Sequence, residues 1–216
     1  MRTTESDVAR PTLVVATHNR DKGRELAAGL AGLPLTLRGL WEWPDHHPIE
    51  ETGATLAENA RLKAEDAAAH TGCWAVADDT GLLVEALGGA PGVLSARYAG
   101  PEATYASNRR RLLEEMRDVP EGRRGARFET VVAFARPGCE TLIVRGWVEG
   151  EILAAERGAG GFGYDAVFYH PPSHKSFAEL TLEQKNAVSH RGRAVLEARA
   201  LLLRVLDRAP AGRKGS

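Results

Sequence analysis

The stretch Trp74-Ala75-Val76-Ala77-Asp78-Asp79-Thr80-Gly81-Leu82 decides how this chain is read. Apolar residues lead into two adjacent acids and a Thr-Gly pair. The pattern predicts a short buried strand over Trp74–Ala77 that ends in paired carboxylates on a turn, with a further strand over Leu82–Ala86. Carboxylates at a strand end commonly hold Mg²⁺ against a phosphate. Solvated turn acids are the plainer reading of the same two residues. Gly88, Gly89 and Gly92 follow and permit sharp turns.

Outward from this stretch, strands alternate with helices. Leu13–Ala16 is a short β-branched apolar run and predicts a buried strand. Thr17-His18-Asn19 turns into a helix that runs to Leu30, and Leu35–Leu37 gives a second strand. Trp41–Glu51, rich in Pro and acids, is a loop. Thr55 with Glu58 three residues on is a capping box, and opens a helix that stops at Gly72. Helical spacing puts Asn59, Lys63 and Asp66 on one face of it. Thr104–Arg117 reads as a helix burying Tyr105, Leu112, Leu113 and Met116. Arg127–Ala135 and Thr141–Val148 form a hairpin around Pro137-Gly138, and Ala166–Tyr169 is another short strand. Thr181 and Gln184 cap a single last helix with the apolar stripe Val188, Val195, Ala198, Leu202 and Val205. The fold class is therefore mixed α/β, with one domain over residues 11–207 and tails at 1–10 and 208–216.

The chain has 216 residues, enough to bury a sizeable core. Its formal net charge of -1 argues against a general nucleic-acid binder. Cys73 and Cys139 form no metal-ligating spacing and fit a reducing compartment. No apolar run is long enough to span a bilayer, and Met1–Arg10 lacks the apolar segment of a secretory signal. The cytoplasm is the expected location.

Four further segments carry candidate chemistry. Thr17 to Lys22 lies between a strand and a helix, where free N–H groups attract anions and Lys22 adds charge; a plain helix cap is the alternative. Glu51 precedes the helix of Asn59 and Lys63 and can join Asp78 or Asp79 on a metal. Gly160-Gly161-Phe162-Gly163-Tyr164-Asp165 presents two aromatics on glycines, suited to stacking on a base or to a tight turn. Lys185, His190 and Arg191 supply donors for a carbonyl or a phosphate, or else are solvated surface. Arg109-Arg110-Arg111 reads as the wet face of a helix, and metal binding by His46-His47 has little support.

These pieces stand in one order that resembles the inosine triphosphate pyrophosphatase family. The matching stretches are Ala16–Leu26, Glu51–Ala64, Ala77–Gly100, Gly160–Phe168 and Ala178–Ala194. The runs ADDTGLLVEALGGAPGVLSARYAG and KNAVSHRGRA are the most specific. The resemblance implies an elongated mixed sheet flanked by helices, two lobes with the active site in the cleft between, Mg²⁺ dependence and a homodimer. It implies hydrolysis of dITP, ITP and XTP to the monophosphate and pyrophosphate. It places Thr17, His18, Asn19, Arg20, Asp21 and Lys22 at the family's phosphate motif, and Glu51 and Asp79 at its metal-binding acids. Asp79 also matches its proton acceptor, with Asp78, Asn59 and Lys63 lining the site. Thr80, Phe162, Gly163, Tyr164, Asp165, Lys185, His190 and Arg191 match substrate contacts. The family usually has Gly where this chain has His18, and often Gly at Asp21; the core T-x-N-x-x-K survives. A related pyrophosphatase of the Maf-like type is disfavoured by the S-H-R-G ending. A haloacid-dehalogenase phosphatase lacks its Asp-x-Asp motif here. A non-hydrolysing nucleotide sensor is disfavoured because every candidate acid is present.

Overall fold

The computed structural model describes residues 10–17 and 19–208. His18 and most of both expected tails lie outside the described residues. In chain order the elements are β1 (Thr12–Val15), α1 (Arg20–Leu30), β2 (Thr36–Gly39), α2 (Leu56–Thr71), β3 (Trp74–Val84), β4 (Pro91–Gly92) and α3 (Tyr105–Glu115). There follow β5 (Gly125–Ala135), β6 (Leu142–Ile152), β7 (Phe168–His170), β8 (Lys175–Ser176), α4 (Leu182–Val188) and α5 (His190–Arg208). One mixed sheet runs β2-β1-β3-β5-β6-β7-β8, with β4 on β3. β1 is parallel to β2 and β3, and the remaining pairings are antiparallel.

Alternation of side chains along the strands builds two cores, one on each face. Leu13 and Val15 of β1 join Val76, Phe134, Leu26 and Leu30 beneath α1 and α5, where Val195, Ala198 and Leu202 face inward. Val14 and Ala16 point the other way, to Ala75, Ala77, Val131 and Ala133, and meet α2. The inner face of α2 is Ala60, Ala64, Ala67 and Ala68, so the helix lies close on the sheet. A third core beyond the middle of β3 gathers Leu82, Leu112, Met116, Phe128, Phe168 and Phe177. Arg124 ties α3 to β6 there: its buried guanidinium donates to the carbonyls of Ile152 at 2.6 Å, Met116 at 2.8 Å, Val119 at 2.9 Å and Leu153 at 3.0 Å.

Five expectations need correction. The strand at Trp74 does not end at the acids; β3 runs through them to Val84 because β5 pairs with it from Ala75 to Val84. The separate strand at Leu82 is its second half. The last helix is two helices. Ser189 is extended (φ -76, ψ 159) after α4, and its Oγ accepts from Gly192 N at 3.1 Å in the first turn of α5. Tyr105 is not in the core but 41% exposed. Arg109 is not simply wet: its Nη1 donates to Gly163 O at 2.9 Å and its Nε to Glu156 at 2.8 Å. The capping boxes at Thr55 and Thr181 and the left-handed stop at Gly72 (φ 66) are as expected.

The route of β3 positions the cleft. β1 pairs with it only over Trp74–Val76, and β4 only at Leu82 and Leu83. Among the described residues, Ala77–Gly81 therefore has a strand neighbour, β5, on one side only. The gap on the other side lies past the carboxyl end of β1, where open α/β sheets place ligands.

Candidate active site

Adjacent residues of a strand face opposite ways, so Asp78 and Asp79 enter different surroundings. Asp78 is 2% exposed and shares its face with Thr80. Its Oδ2 accepts from Thr80 Oγ1 at 3.3 Å and Arg191 Nη2 at 3.4 Å, with Lys22 Nζ at 3.7 Å. Burial alone would raise its pKa, but Lys22, Arg191 and Lys63 outweigh burial and hold it at about 2. Asp79 faces α2. Its Oδ1 lies 3.3 Å from Lys63 Nζ, and its Oδ2 accepts from Asn59 Nδ2 at 3.4 Å. Here burial, helped by the charges of Glu51 and Asp78, prevails over Lys63 and Lys22 and moves the carboxyl upward. The two acids are thus electrostatically distinct: Asp78 is a fixed anion, and Asp79 is the more basic.

Lys63 also donates to Glu51 Oε1 at 2.8 Å, so one ammonium gathers Glu51 and Asp79. Burial lowers Lys63, but Asp79, Asp78 and Glu51 outweigh it and raise its pKa. Glu51 is held below the usual range because Lys63 overcomes its partial burial. Asn59 is fully buried and also accepts from Gly53 N at 2.8 Å through Oδ1, which orients its amide toward Asp79.

Asn19 caps α1: its Oδ1 accepts from Asp21 N at 3.0 Å and Lys22 N at 3.1 Å. The cap aims the first turn of α1 at the gap beside β3. Lys22 is lowered by burial, with Lys63 and Arg191 acting the same way against Asp78 and Asp79.

Across the gap, Arg191 and Lys185 converge on Glu25 of α1. Arg191 Nη1 lies 2.7 Å from Glu25 Oε2, and Lys185 Nζ lies 3.4 Å from Oε1 and 2.8 Å from Asp165 Oδ2. Asp165 Oδ2 also accepts from Phe162 N at 2.8 Å and so closes the glycine turn. At Gly161 (φ +68) a side chain would run into Asp165, so glycine is required. Lys185 Nζ stands 4.6 Å over the Phe162 ring. His190 is buried and stacked on Phe128, with centroids 4.4 Å apart at 15°. Burial, with Arg191 and Lys185 nearby, drives its pKa well below the ordinary value, so the ring is neutral. His190 Nδ1, Arg191 Nε and Asp78 Oδ1 are buried and without a hydrogen-bond partner among the described residues.

These side chains line two joined chambers. One, of about 570 Å³, is walled by Tyr105, Phe128, Phe162, Tyr164, Asp165, Lys185, His190 and Arg191. The other, of about 840 Å³, is walled by Thr17, His46, Glu51, Lys63, Asp66 and Asp79. Asn19, Lys22, Thr80 and Ala96 belong to both and form the junction. Of the expected site residues, Arg20 and Asp21 line neither chamber, and Asn59 and Asp78 stand behind the walls.

Sequence reading missed Glu25, Tyr105, Phe128 and the His46–Asp66 pair (2.6 Å). Only Glu25 carried a usable signal, one helical turn beyond Lys22. The oxygens of Glu51 and Asp79 suit a hard divalent cation. Among the described residues no three His, Cys, Asp or Glu stand together as a closed cage, so two carboxylates would share the cation with substrate oxygens and water.

An aromatic chamber opens into a cationic one lined with carboxylates, beside a gap in a mixed sheet, a shape that suits a ligand with an aromatic ring and an anionic tail. Residues 13–201 match the model of the Ham1 family. The chain is 50% identical to a protein of Geobacter sulfurreducens named dITP/XTP pyrophosphatase, over 85% of this chain and 92% of that one. It is 48% identical to one of the same name from Geobacillus kaustophilus, over 85% and 90%. The solved HAM1 protein of Coxiella burnetii superposes with a TM-score of 0.83 at 40% identity, covering 90% of this chain and 99% of that one. A nucleoside-triphosphatase / dITP/XTP pyrophosphatase from Mycobacterium abscessus superposes with a TM-score of 0.70 at 40% identity, covering 88% and 99%. The chain belongs to the Ham1 family.

Proposed function

We propose that this protein hydrolyses noncanonical purine nucleoside triphosphates (dITP, ITP and XTP) to the monophosphate and pyrophosphate, with Mg²⁺, and so cleanses the nucleotide pool. The observation that carries the reading is the pair of chambers joined at Lys22 and Thr80. The aromatic one suits a base and the charged one a triphosphate. The names of the relatives agree.

The base lies against Phe162 in the aromatic chamber. The C6 oxygen of hypoxanthine or xanthine accepts from the otherwise unpaired Arg191 Nε, and from His190 in the tautomer that carries its proton on Nδ1. Adenine presents an amino donor there, which leaves both sides unpaired and supports discrimination of ~10⁴-fold. Thr17, the first turn of α1 and Lys22 receive phosphate oxygens. Lys63 and Lys22 hold the leaving pyrophosphate. Glu51 and Asp79 are the residues that would bind Mg²⁺, which supplies positive charge against the triphosphate when bound. Asp79 takes the proton of the water that attacks the α-phosphorus. Asp78 stays ionised and fixes Arg191 and Lys22. Asn59 orients Asp79.

Residues 11–207 are read as one two-lobed unit acting as a homodimer in the cytoplasm. Leu196 and Leu203, seven residues apart on α5, are exposed and support the dimer. No described helix is long and apolar enough to cross a membrane.

The test is purified protein with ITP, dITP, XTP, ATP, GTP and dUTP, each with Mg²⁺ and with a chelator, scored for pyrophosphate and orthophosphate. Pyrophosphate from the first three, abolished by the chelator, is expected. Orthophosphate, or equal hydrolysis of ATP, would overturn the reading.

A further inference from the structure

The mouth of the aromatic chamber is crossed by a side chain that the reading above does not use. Tyr105 opens α3, and its ring borders both the aromatic chamber and an outer groove of about 820 Å³. Its Oη accepts from Asn19 Nδ2 at 3.1 Å, and its ring centroid stands 5.9 Å from that of Phe162 at a tilt of 38°. The first contact reaches the junction of the chambers, because Asn19 lines both. The second reaches the wall assigned to the base. Whatever joins a base on Phe162 to a phosphate at the cap of α1 passes beneath this ring. In a nucleotide that connecting piece is the sugar.

We infer that Tyr105 is the sugar-facing residue of the site: its ring closes the chamber over the ribose, and its hydroxyl, while accepting from Asn19, donates to a ribose oxygen. The chemistry permits this because a phenol has one proton to give and two lone pairs. Asn19 occupies one lone pair, and no other partner of Oη exists among the described residues. Asn19 is itself fixed, since its Oδ1 is engaged by the first turn of α1 and only its amide nitrogen is left for Tyr105. One turn along the same face of α3, Arg109 anchors the helix through the carbonyl of Gly163. The helix thus spans the mouth from the phosphate-side cap to the base-side glycine loop, and Tyr105 is already oriented when the sugar arrives.

This inference rests on the nucleotide reading of the site, so the test keeps the two apart. Tyr105→Phe and Tyr105→Ala are compared with the unaltered protein in two assays. One is binding of the α,β-methylene analogues of ITP and dITP by calorimetry, which needs no turnover. The other is steady-state hydrolysis of ITP and dITP. Tyr105→Phe is expected to weaken analogue binding about three- to tenfold, the range of one hydrogen bond, and to raise KM in the same proportion with a smaller effect on kcat. Tyr105→Ala, which also removes the ring, is expected to weaken binding further. A loss for the ribo analogue alone assigns the hydroxyl to the 2′ oxygen. An equal loss for both assigns it to an oxygen they share. Analogue binding unchanged in both variants, with thermal unfolding intact, overturns the inference. Analogue binding by the unaltered protein without hydrolysis of ITP or dITP overturns the proposed activity, while the Tyr105 comparison still decides the inference.

Discussion

Replacing Asp78 by Asn separates charge from shape at the centre of the site. The amide keeps the volume of the carboxylate and can still accept from Thr80, but the anion that faces Arg191 and Lys22 is gone. The buried carboxyl titrates at about 2 rather than 3.8. That difference is worth about 2 kcal/mol at pH 7, because an acid with a depressed folded pKa stabilises the fold when ionised. The contribution is complete above the unfolded value. It falls as pH drops toward the folded one, so about half remains near pH 3. The D78N protein should therefore unfold in urea with about 2 kcal/mol less stability at pH 7, and melt about 4–8 °C lower. At pH 3 the gap to the unaltered protein should shrink to about half. Urea titrations of both proteins at pH 7, 5 and 3 measure it. Equal stability at pH 7 would show that the cations do not hold Asp78, and a gap undiminished at pH 3 would show that its cause is not charge.

Asp79→Asn should behave oppositely. Because burial pushes Asp79 up, its ionised form is a cost to the fold, so the D79N protein should be as stable as the original, or more so, in chelator at pH 7. Its kcat should fall by ~100-fold or more; near-normal turnover would refute the role of Asp79. Phe162→Ala should raise KM for ITP about tenfold through lost stacking, and unchanged KM and kcat would reject that contact. Arg124→Met should cost about 2–4 kcal/mol in urea unfolding because two buried and two half-buried carbonyls lose their donor, while kcat of the folded fraction stays unchanged; a loss of activity without a loss of stability would contradict its structural assignment.

Local signals carried much of the fold. Thr55/Glu58, Thr181/Gln184 and Gly72 are each decided by a few neighbouring residues, and helix limits read from them hold. The alternation of β1 likewise sorts Leu13 and Val15 from Val14 on the page. What failed depended on distant partners. Asp-Asp-Thr-Gly has turn composition, but its strand state is set by β5, some fifty residues on. The break at Ser189 had a local signal, a Ser able to cap, that the apolar stripe across it obscured. Tyr105 looked like core by residue type, yet its position follows from how α3 lies against Asn19 and the glycine loop. The site motifs were legible as groups. Sequence did not separate Asp78 from Asp79, because the separation comes from strand alternation and from which cations pack on each face.

The one-sided pairing of Ala77–Gly81 divides the site by how it breathes. The acids ride on a strand whose ladder to β5 is continuous for ten residue pairs, so their backbone leaves its place only when the sheet itself opens. The glycine loop that carries Phe162 has no strand ladder and is held by separate contacts: Gly160 N on Ala178 O at 3.0 Å, Arg109 on Gly163 O, the Tyr164 hydroxyl on Ser95 O, and the Asp165 turn with Lys185. Amide protons that β3 gives to β5 should exchange with solvent on the timescale of whole-molecule opening, and those of the loop through small local excursions. A bound nucleotide would then quieten the loop and leave the strand as it was.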